Sequence, residues 1–273
     1  MDSSLIPLLP PALVVLGYFA YRFYRKWSHQ RLISAPFSDA WRAILANNNA
    51  VYPRLSDDER ERLHQVIKLF LDEKTFYGCA GLEITDEIRL TIAAEACLLL
   101  LHRQGPVYPG LTAILVYPSG FSAKREEYYD DGTVSHEQRH MLGESWDNGR
   151  IVLAWDAAAH GAADFSDGEN VILHEFAHQL DSHSGETNGA PVLRNNSYRS
   201  WARVFSENFE DLRDRVMKGQ PTVIDDYGAT NPAEFFAVAT ETFFEEPHAL
   251  QKHRPELFAE LQAYYRCDPR AWQ

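Results

Sequence analysis

The sequence is poor in cysteine. It contains three, Cys79, Cys97 and Cys267, which are widely separated and form no C-x-x-C pair. An odd and scattered set of this kind excludes a disulfide framework and a structural zinc knuckle built from cysteines. The simplest interpretation is that the chain works in a reducing compartment.

A surplus of positive charge is missing as well. Lys and Arg number 26 against 39 Asp and Glu, which gives a formal net charge of −13. Because nucleic-acid-binding proteins neutralise phosphates with Lys and Arg, this balance excludes nucleic acid as the expected partner. Internal repeats and low-complexity stretches are also absent, and 45% hydrophobic and 12% aromatic residues indicate a folded body with its own core.

One motif stands out against these absences. Residues 171–181 read Val-Ile-Leu-His-Glu-Phe-Ala-His-Gln-Leu-Asp, an H-E-x-x-H sequence inside an apolar, helix-forming run. On a helix His174 and His178 are one turn apart, so that both imidazoles face one side and can bind a single Zn²⁺. Glu175 lies beside them as a candidate base. The alternative, two histidines packed in an ordinary core helix, accounts less well for this combination.

A catalytic zinc needs a third protein ligand. The extended metzincin pattern would place Gly and His at positions that hold Asp181 and Ser184 here. A carboxylate from a later helix is the better candidate. Asn231 and the proline after it begin such a helix, and Glu234 and Glu241 lie two turns apart on one stripe of it. Spacing alone leaves both open as ligands, since Glu234 also suits a capping box with Asn231.

A family resemblance bears on this choice. His174-Glu-Phe-Ala-His178, followed downstream by Asp226-Tyr-Gly-Ala-Thr-Asn-Pro-Ala-Glu-Phe-Phe-Ala237, resembles the paired signature of the Mlc titration factor A family of bacterial zinc peptidases. Lethal-factor-like metallopeptidases share the two-part motif. Gly143-Glu-Ser-Trp146 and the stretch 149–155 are similar to the titration factor family too, and the resemblance covers roughly residues 36–270.

The resemblance implies a zincin-like domain with one zinc ion per chain. It implies that His174, His178 and Glu234 are the zinc ligands, that Glu175 is the base, and that Tyr227 is a catalytic tyrosine facing the metal. It further implies aminopeptidase-like cleavage of small peptides, and a transcriptional repressor as a protein partner.

The site chemistry expected from these residues is hydrolysis of a peptide bond. Glu175 accepts a proton from an activated water, and the phenol of Tyr227 stabilises the oxyanion. Asp181, one turn beyond His178, is a candidate outer carboxylate for a ligand histidine, with a solvated helix end as the alternative; Glu241 is the other carboxylate expected around the metal. The stretch 149–155 is a candidate strand edge for pairing with an extended peptide.

The long apolar run is at the N-terminus. The 19 residues from Ser3 to Tyr21 carry no charge, and Arg22, Arg25 and Lys26 follow at once among aromatic residues. This length just suffices to cross a ~30 Å hydrocarbon layer, and the cationic flank predicts that the domain lies in the cytoplasm. We therefore expect residues 1–31 to be an anchor and its basic flank, and residues 32–273 to be a peptidase domain at the cytoplasmic face of the inner membrane.

Two alternatives to an anchor stay open. Pro7, Pro10 and Pro11 weaken the first turns of a helix, which suits an apolar tail packed on a soluble cytoplasmic domain. A cleaved secretory signal fits less well, because the positive charges follow the apolar run instead of preceding it. Familiar members of the resembled family lack such a segment, so an anchor is a departure from their pattern.

The order of the remaining elements predicts an α+β fold: helices, then a small sheet, then helices in one mainly helical domain. Capping boxes are expected at Ser56–Glu59 and at Ser166–Glu169, the latter starting the H-E-x-x-H helix. The predicted helices span 41–45, 56–73, 87–102, 198–216 and 255–265, and the predicted strands span 112–117, 139–146 and 149–155.

Three classes of function follow. The first is an active zinc peptidase. The second is a regulatory protein that sequesters a transcriptional repressor, with peptidase activity secondary. The third, a purely structural metal site, is disfavoured because three ligands with a base and a tyrosine describe an open site, whereas structural zinc is closed by four ligands.

Overall fold

The computed structural model of the chain describes residues 9–103, 105–128, 134–141, 143–146, 149–183, 185–193 and 197–273. The backbone divides into two compact units, Met1–Phe37 and Ser38–Gln273. All candidate site residues belong to the second unit. The predicted boundary between residues 31 and 32 falls in the last turn of the first helix, α1 (Leu9–Ser34).

Helix α1 exposes most of its large side chains. The apolar side chains from Leu13 to Phe19 are all more than half exposed, as are the aromatic side chains of Tyr24 and Trp27. No helix in the described part of the chain is both long enough and apolar enough to cross a membrane, so the predicted membrane-spanning helix is not supported. Residues 9–21 of the predicted span measure about 20 Å as a helix, against a ~30 Å hydrocarbon layer. Residues 3–8 of that span lie outside the described residues.

In the second unit, α2 (Asp39–Asn48) and α3 (Asp57–Glu73) precede the main sheet, and α4 (Asp86–Leu98) lies in sequence between the first and second strands of that sheet. Helix α3 starts with the predicted capping box, in which the Ser56 hydroxyl accepts the Glu59 N–H and the Glu59 carboxylate accepts the Ser56 N–H. Helix α4 is buried almost all round, as its apolar composition predicts, although it ends at Leu98 and not at residue 102.

The strands are β1 (Thr75–Gly78), β2 (Ala113–Tyr117), β3 (Phe121–Tyr128), β4 (Val134–Met141), β5 (Gly143–Trp146) and β6 (Arg150–Ala154). A four-stranded sheet has the order β1-β2-β6-β5, in which β1, β2 and β6 are parallel and β5 is antiparallel to β6. Strands β3 and β4 pair as a separate antiparallel ribbon. The strand predicted at 139–146 is therefore two strands that belong to different sheets.

Strand β6 lies inside the sheet. It pairs with β2 on one side, with Ile114 opposite Ile151, and with β5 on the other side. Residues 151–154 are all buried, which is typical of a strand covered on both faces. The prediction that the stretch 149–155 offers an edge is thus wrong: on this side of the sheet the outer described strand is β5.

In the described ranges after the sheet, the helices are α5 (Trp155–Ala163), α6 (Val171–Ser182), α7 (Tyr198–Met217), α8 (Pro232–Glu245), α9 (Pro247–His253) and α10 (Pro255–Tyr265). Helices α7 and α10 confirm the predicted helices at 198–216 and 255–265. The prediction of one mainly helical domain with a small sheet is confirmed. Helix α6, which carries H-E-x-x-H, packs against α4, α5, α8 and β5.

Helix α6 begins four residues later than its predicted capping box requires. Asn170 is the cap, and its side-chain oxygen accepts the N–H groups of Ile172 and Leu173, both at 3.1 Å. The predicted box at Ser166–Glu169 is wrong because Gly168 has φ = +80°, a left-handed conformation that a helix started by Ser166 cannot contain.

The face of α6 opposite its histidines anchors the helix in the core. Phe176 is fully buried, with its ring centroid 4.8 Å from that of Tyr108 and 5.6 Å from that of Phe70. Truncating a buried phenylalanine to alanine typically destabilises a protein by about 3–5 kcal/mol. This packing fixes the rotation of α6, and therefore the direction in which its histidines project.

Candidate metal centre

Three side chains from α6 and α8 converge on one point. His174 Nε2 lies 3.0 Å and His178 Nε2 lies 3.2 Å from Glu234 Oε2, and the two Nε2 atoms are 3.2 Å apart. Among the described residues, these are the group of His, Cys, Asp and Glu side chains whose ligand atoms come close enough together to hold a metal ion. The sequence-predicted ligand set is thus brought together across 60 residues of chain.

The spacing of these atoms fits a tetrahedral metal. Zinc binds histidine nitrogen and carboxylate oxygen at about 2.0–2.2 Å, so two ligands of a tetrahedral ion lie about 3.3 Å apart. The three observed separations are 3.0–3.2 Å. Two imidazoles and one carboxylate also leave one tetrahedral position for a water or substrate. The residues present therefore fit a metal ion of the kind that catalytic sites use.

The sequence allows Glu234 two roles: a metal ligand, or the partner of Asn231 in a capping box. Asn231 caps α8 by accepting the N–H groups of Ala233 and Glu234 at 2.9 and 3.0 Å. The Glu234 carboxylate, by contrast, places Oε2 against both histidines. The cap and the candidate ligand are thus different residues, three positions apart, with separate tasks. Helix α8 starts where it does because Asn231 and Pro232 start it.

His174 is oriented by a second carboxylate on α8. Its Nδ1 lies 2.7 Å from Glu241 Oε1, two turns along the helix from Glu234. Since a carboxylate accepts hydrogen bonds, Nδ1 donates its proton to Glu241, and Nε2 is the nitrogen that faces Glu234 and His178. A carboxylate behind a ligand histidine is the usual outer support of a metal site. Glu241 occupies the corresponding position behind the candidate ligand His174.

The environment of His178 is different. Its Nδ1 is buried and has no hydrogen-bond partner within the described ranges. Asp181, the other predicted outer carboxylate, is fully buried, and its Oδ2 accepts the Gly189 N–H at 2.6 Å. Asp181 is therefore not a solvated helix end; it fixes the segment that follows α6.

Glu175 is a buried carboxylic acid beside the two histidines. Its side chain is only 5% exposed, and its Oε2 has no hydrogen-bond partner in the part of the chain that the structure describes. Burial raises the pKa of Glu175 to about 7, against the opposing effect of the neighbouring histidines. A base whose pKa is near the working pH is the most effective one for proton transfer.

The candidate ligands strongly shift one another's pKa values. Burial alone would lower the pKa of His174, but the carboxylates of Glu241 and Glu234 outweigh it and hold that pKa well above its ordinary value. Burial would raise the pKa of Glu234, but the hydrogen bonds to His174 and His178 outweigh it and hold that pKa below its ordinary range. A metal ion must displace the proton of His174 on binding, so metal affinity should fall as the pH falls.

Tyr227 lies beside the ligand cluster. It is in a short 3₁₀ helix (Asp226–Ala229), and its ring centroid is 5.9 Å from that of His174. Its side chain is 48% exposed, which leaves it accessible to a substrate. Asp225 holds this turn by accepting the Tyr227 N–H at 2.9 Å.

Three residues behind the ligands escaped the sequence-based prediction. They are Asn170, Glu95 on α4 and Glu245 on α8; all three are buried, and the Asn170 amide donates to both carboxyl groups. Burial raises the pKa of Glu95 to about 8 and that of Glu245 to about 9. A signal did exist for Glu95, because an acidic residue within the apolar run 92–101 must find buried partners.

Comparison with known proteins agrees with this geometry. Residues 24–266 match the family model described as glucose-regulated metallo-peptidase M90. The chain is 42% identical to "Uncharacterized protein slr2042" of Synechocystis sp. (strain ATCC 27184 / PCC 6803 / Kazusa), over 96% of this chain and 98% of that one. It is 33% identical to Mlc titration factor A of Pectobacterium atrosepticum, over 80% and 84%, and 32% identical to that of Klebsiella pneumoniae, over 86% and 93%. The chain belongs to the glucose-regulated metallo-peptidase M90 family.

Proposed function

We propose that the chain is a zinc-dependent peptidase. The observation that carries this proposal is the convergence of His174, His178 and Glu234 with the buried carboxylate of Glu175 beside them. Zinc is the metal proposed, because two imidazoles and a carboxylate at tetrahedral spacing are a donor set of catalytic zinc sites.

The chain's own residues supply the remaining chemistry. When bound, the zinc ion acts as a Lewis acid that acidifies water and polarises a carbonyl group. Glu175 accepts the proton of the attacking water and passes it to the leaving amide nitrogen. Tyr227 donates its phenolic hydrogen to the oxygen on which negative charge develops, a contribution worth about 2.7–4 kcal/mol for single donors elsewhere.

The substrate class proposed is a peptide. Strand β5 lies at one side of the described sheet and packs against α6, the helix that carries both histidines. An extended peptide can add to such a strand by main-chain hydrogen bonds. Aminopeptidase-like cleavage of short peptides is the finer form of this proposal, and it rests on the family resemblance alone.

The decisive experiment is Glu175→Gln. This change keeps the size of the side chain but removes the base, so the variant should retain one zinc per chain and lose turnover of aminoacyl p-nitroanilides by at least about 10²-fold. Glu169→Gln, at an exposed glutamate just before α6, is the matched control and should retain turnover. Wild-type turnover in Glu175→Gln would remove Glu175 from the mechanism, and a wild-type protein without bound zinc would refute the proposal as a whole.

A second candidate function is regulatory binding. It is favoured by the name of the relatives, Mlc titration factor A, which denotes a factor that titrates Mlc. For this chain the corresponding proposal is a complex with a transcriptional repressor. Glu175→Gln separates the two functions, because a binding role survives loss of the base. Equal binding of the purified repressor by wild type and variant would support it, and absence of binding by both would reject it.

Cellular location stays a prediction from the cationic residues 22–31. Fractionation of the full chain with a carbonate wash tests attachment to the cytoplasmic face of the inner membrane. Retention in the membrane fraction would support attachment, and complete release would reject it.

A further inference from the structure

Asn170, the cap of α6, uses its polar groups for more than capping. Its Oδ1 accepts the two N–H groups that start the helix. Its Nδ2 lies within donating distance of three acceptors: Glu245 Oε1 at 3.0 Å, the Gly161 carbonyl at 3.2 Å and Glu95 Oε2 at 3.3 Å. Its main-chain N–H donates to Glu241 Oε2 at 2.7 Å. The residue is fully buried.

The main-chain bond leads directly to the metal centre. Glu241 accepts from Asn170 with Oε2 and faces His174 Nδ1 with Oε1, each at 2.7 Å. Both oxygens of this carboxylate are therefore engaged, one by the cap residue and one by the ligand. A displacement of Asn170 must move the Glu241 carboxylate, and with it the imidazole of His174.

Three separate helices hold Asn170 in place. On α5, Gly161 has no side chain; a Cβ there would lie 3.1 Å from both Cα and Cγ of Asn170, so the close approach depends on glycine. On α4, Glu95 is itself fixed, because Asn49 Nδ2 donates to its Oε1 at 2.6 Å. On α8, Glu245 Oε2 accepts the Gly168 N–H at 2.9 Å. Such a saturated buried network is rigid.

On the basis of the proposed zinc site, we propose that Asn170 is a positioning residue for the metal. Its clamped side chain fixes the main-chain N–H that orients Glu241, and through Glu241 the ligand His174. Glu95 and Glu245 serve as the clamp.

Asn170→Asp tests this assignment. Aspartate caps a helix as well as asparagine does, but it cannot donate from the position of Nδ2, so the Gly161 carbonyl loses its donor and a third acidic group enters beside Glu95 and Glu245. We expect the Kd for Zn²⁺, measured by chelator competition, to rise about 10–100-fold, the range seen for outer-shell losses. The visible spectrum of the Co²⁺-loaded protein should change as well, because it reports ligand geometry. The matched control is Asn231→Asp at the exposed cap of α8, which should bind Zn²⁺ within about twofold of wild type.

A rescue variant separates positioning from damage to the fold. Combining Asn170→Asp with Glu245→Gln reverses the polarity of the 3.0 Å bond, so the double variant should regain most of the lost affinity. Melting of the metal-free proteins shows whether each is folded. Wild-type affinity in folded Asn170→Asp would overturn the proposal, as would a double variant that binds no better than the single one or fails to fold. A wild-type chain that binds no Zn²⁺ would instead refute the proposed function.

Discussion

The two histidines of the metal centre lie at nearly the same distance from Glu234 but in contrasting surroundings. His174 has its Nδ1 fixed by Glu241, which is itself fixed by the cap of α6. The Nδ1 of His178 is buried without a partner in the described part of the chain. The first imidazole is oriented by hydrogen bonds across two helices, and the second by the position of α6 itself.

This difference indicates how the site is built. A hydrogen-bonded carboxylate sets both the tautomer and the direction of His174. His178 follows one turn later on the same helix, so the packing of Phe176 and the cap at Asn170 carry its orientation. One side is specified by polar contacts and the other by the core.

Removal of the carboxylate that contacts both histidines should have the largest effect on zinc affinity. Glu234 Oε2 faces both histidines, so Glu234→Ala abolishes the shared ligand and should lower Zn²⁺ affinity by more than the roughly 100-fold upper range for outer-shell losses. Chelator competition measures this. Equal zinc content in wild type and variant would show that Glu234 serves only the helix start.

Tyr227→Phe tests the side of His174 that faces the substrate. The phenol's hydrogen bond should matter mainly when the oxyanion forms, so kcat should fall about 10²-fold, while KM and zinc content change little. The matched control is Tyr77→Phe on β1, where the side chain is similarly exposed (53% against 48%). An unchanged kcat on a slow substrate would remove Tyr227 from the mechanism.

Glu241→Ala tests the difference between the surroundings of His174 and those of His178. It removes the support of His174 and should lower Zn²⁺ affinity about 10–100-fold. Asp181→Ala leaves the buried Gly189 N–H without its acceptor, so it should destabilise the fold by about 1–3 kcal/mol and change affinity less. Chelator competition and thermal melting separate the two effects. If both variants lose affinity equally, His178 also depends on an outer carboxylate and the contrast disappears.

The locally determined features were predictable from sequence. His174 and His178 share a helical face because their spacing is one turn, and α8 starts at Asn231 and Pro232 because those residue types start helices. The choice between Glu234 and Glu241 was open on spacing alone, since it depends on how α8 crosses α6. Only the resemblance to a family favoured Glu234.

Features set by distant contacts were not predictable in this way. Strand order is an example: three strands separate β2 from β6 in sequence, yet the two are adjacent in the sheet, so β6 could be mistaken for an edge. The start of α6 is another, because Gly168 adopts a left-handed conformation that moves the cap to Asn170. The partners of Glu95 lie 46 and 75 residues away, and no local pattern identifies them.

The smallest effect concerns the carboxyl groups behind His174. The folded-state pKa of Glu245, about 9, lies far above its ordinary value of 4.5 because the group is buried. Between these values the folded protein keeps a proton that the unfolded chain releases, so the free energy of unfolding of the metal-free protein should decrease as the pH rises. Each such proton contributes a slope of at most about 1.4 kcal/mol per pH unit.

Glu245→Gln should make this decrease of the unfolding free energy shallower. Glu95→Gln should do the same, over a pH range whose upper limit is the folded-state pKa of Glu95, about 8. Urea unfolding at pH 5.5, 6.5 and 7.5 measures both slopes. Slopes equal to that of wild type would mean that Glu95 and Glu245 are ionised in the folded protein. The network behind His174 would then consist of charged groups and not of neutral hydrogen-bonded ones.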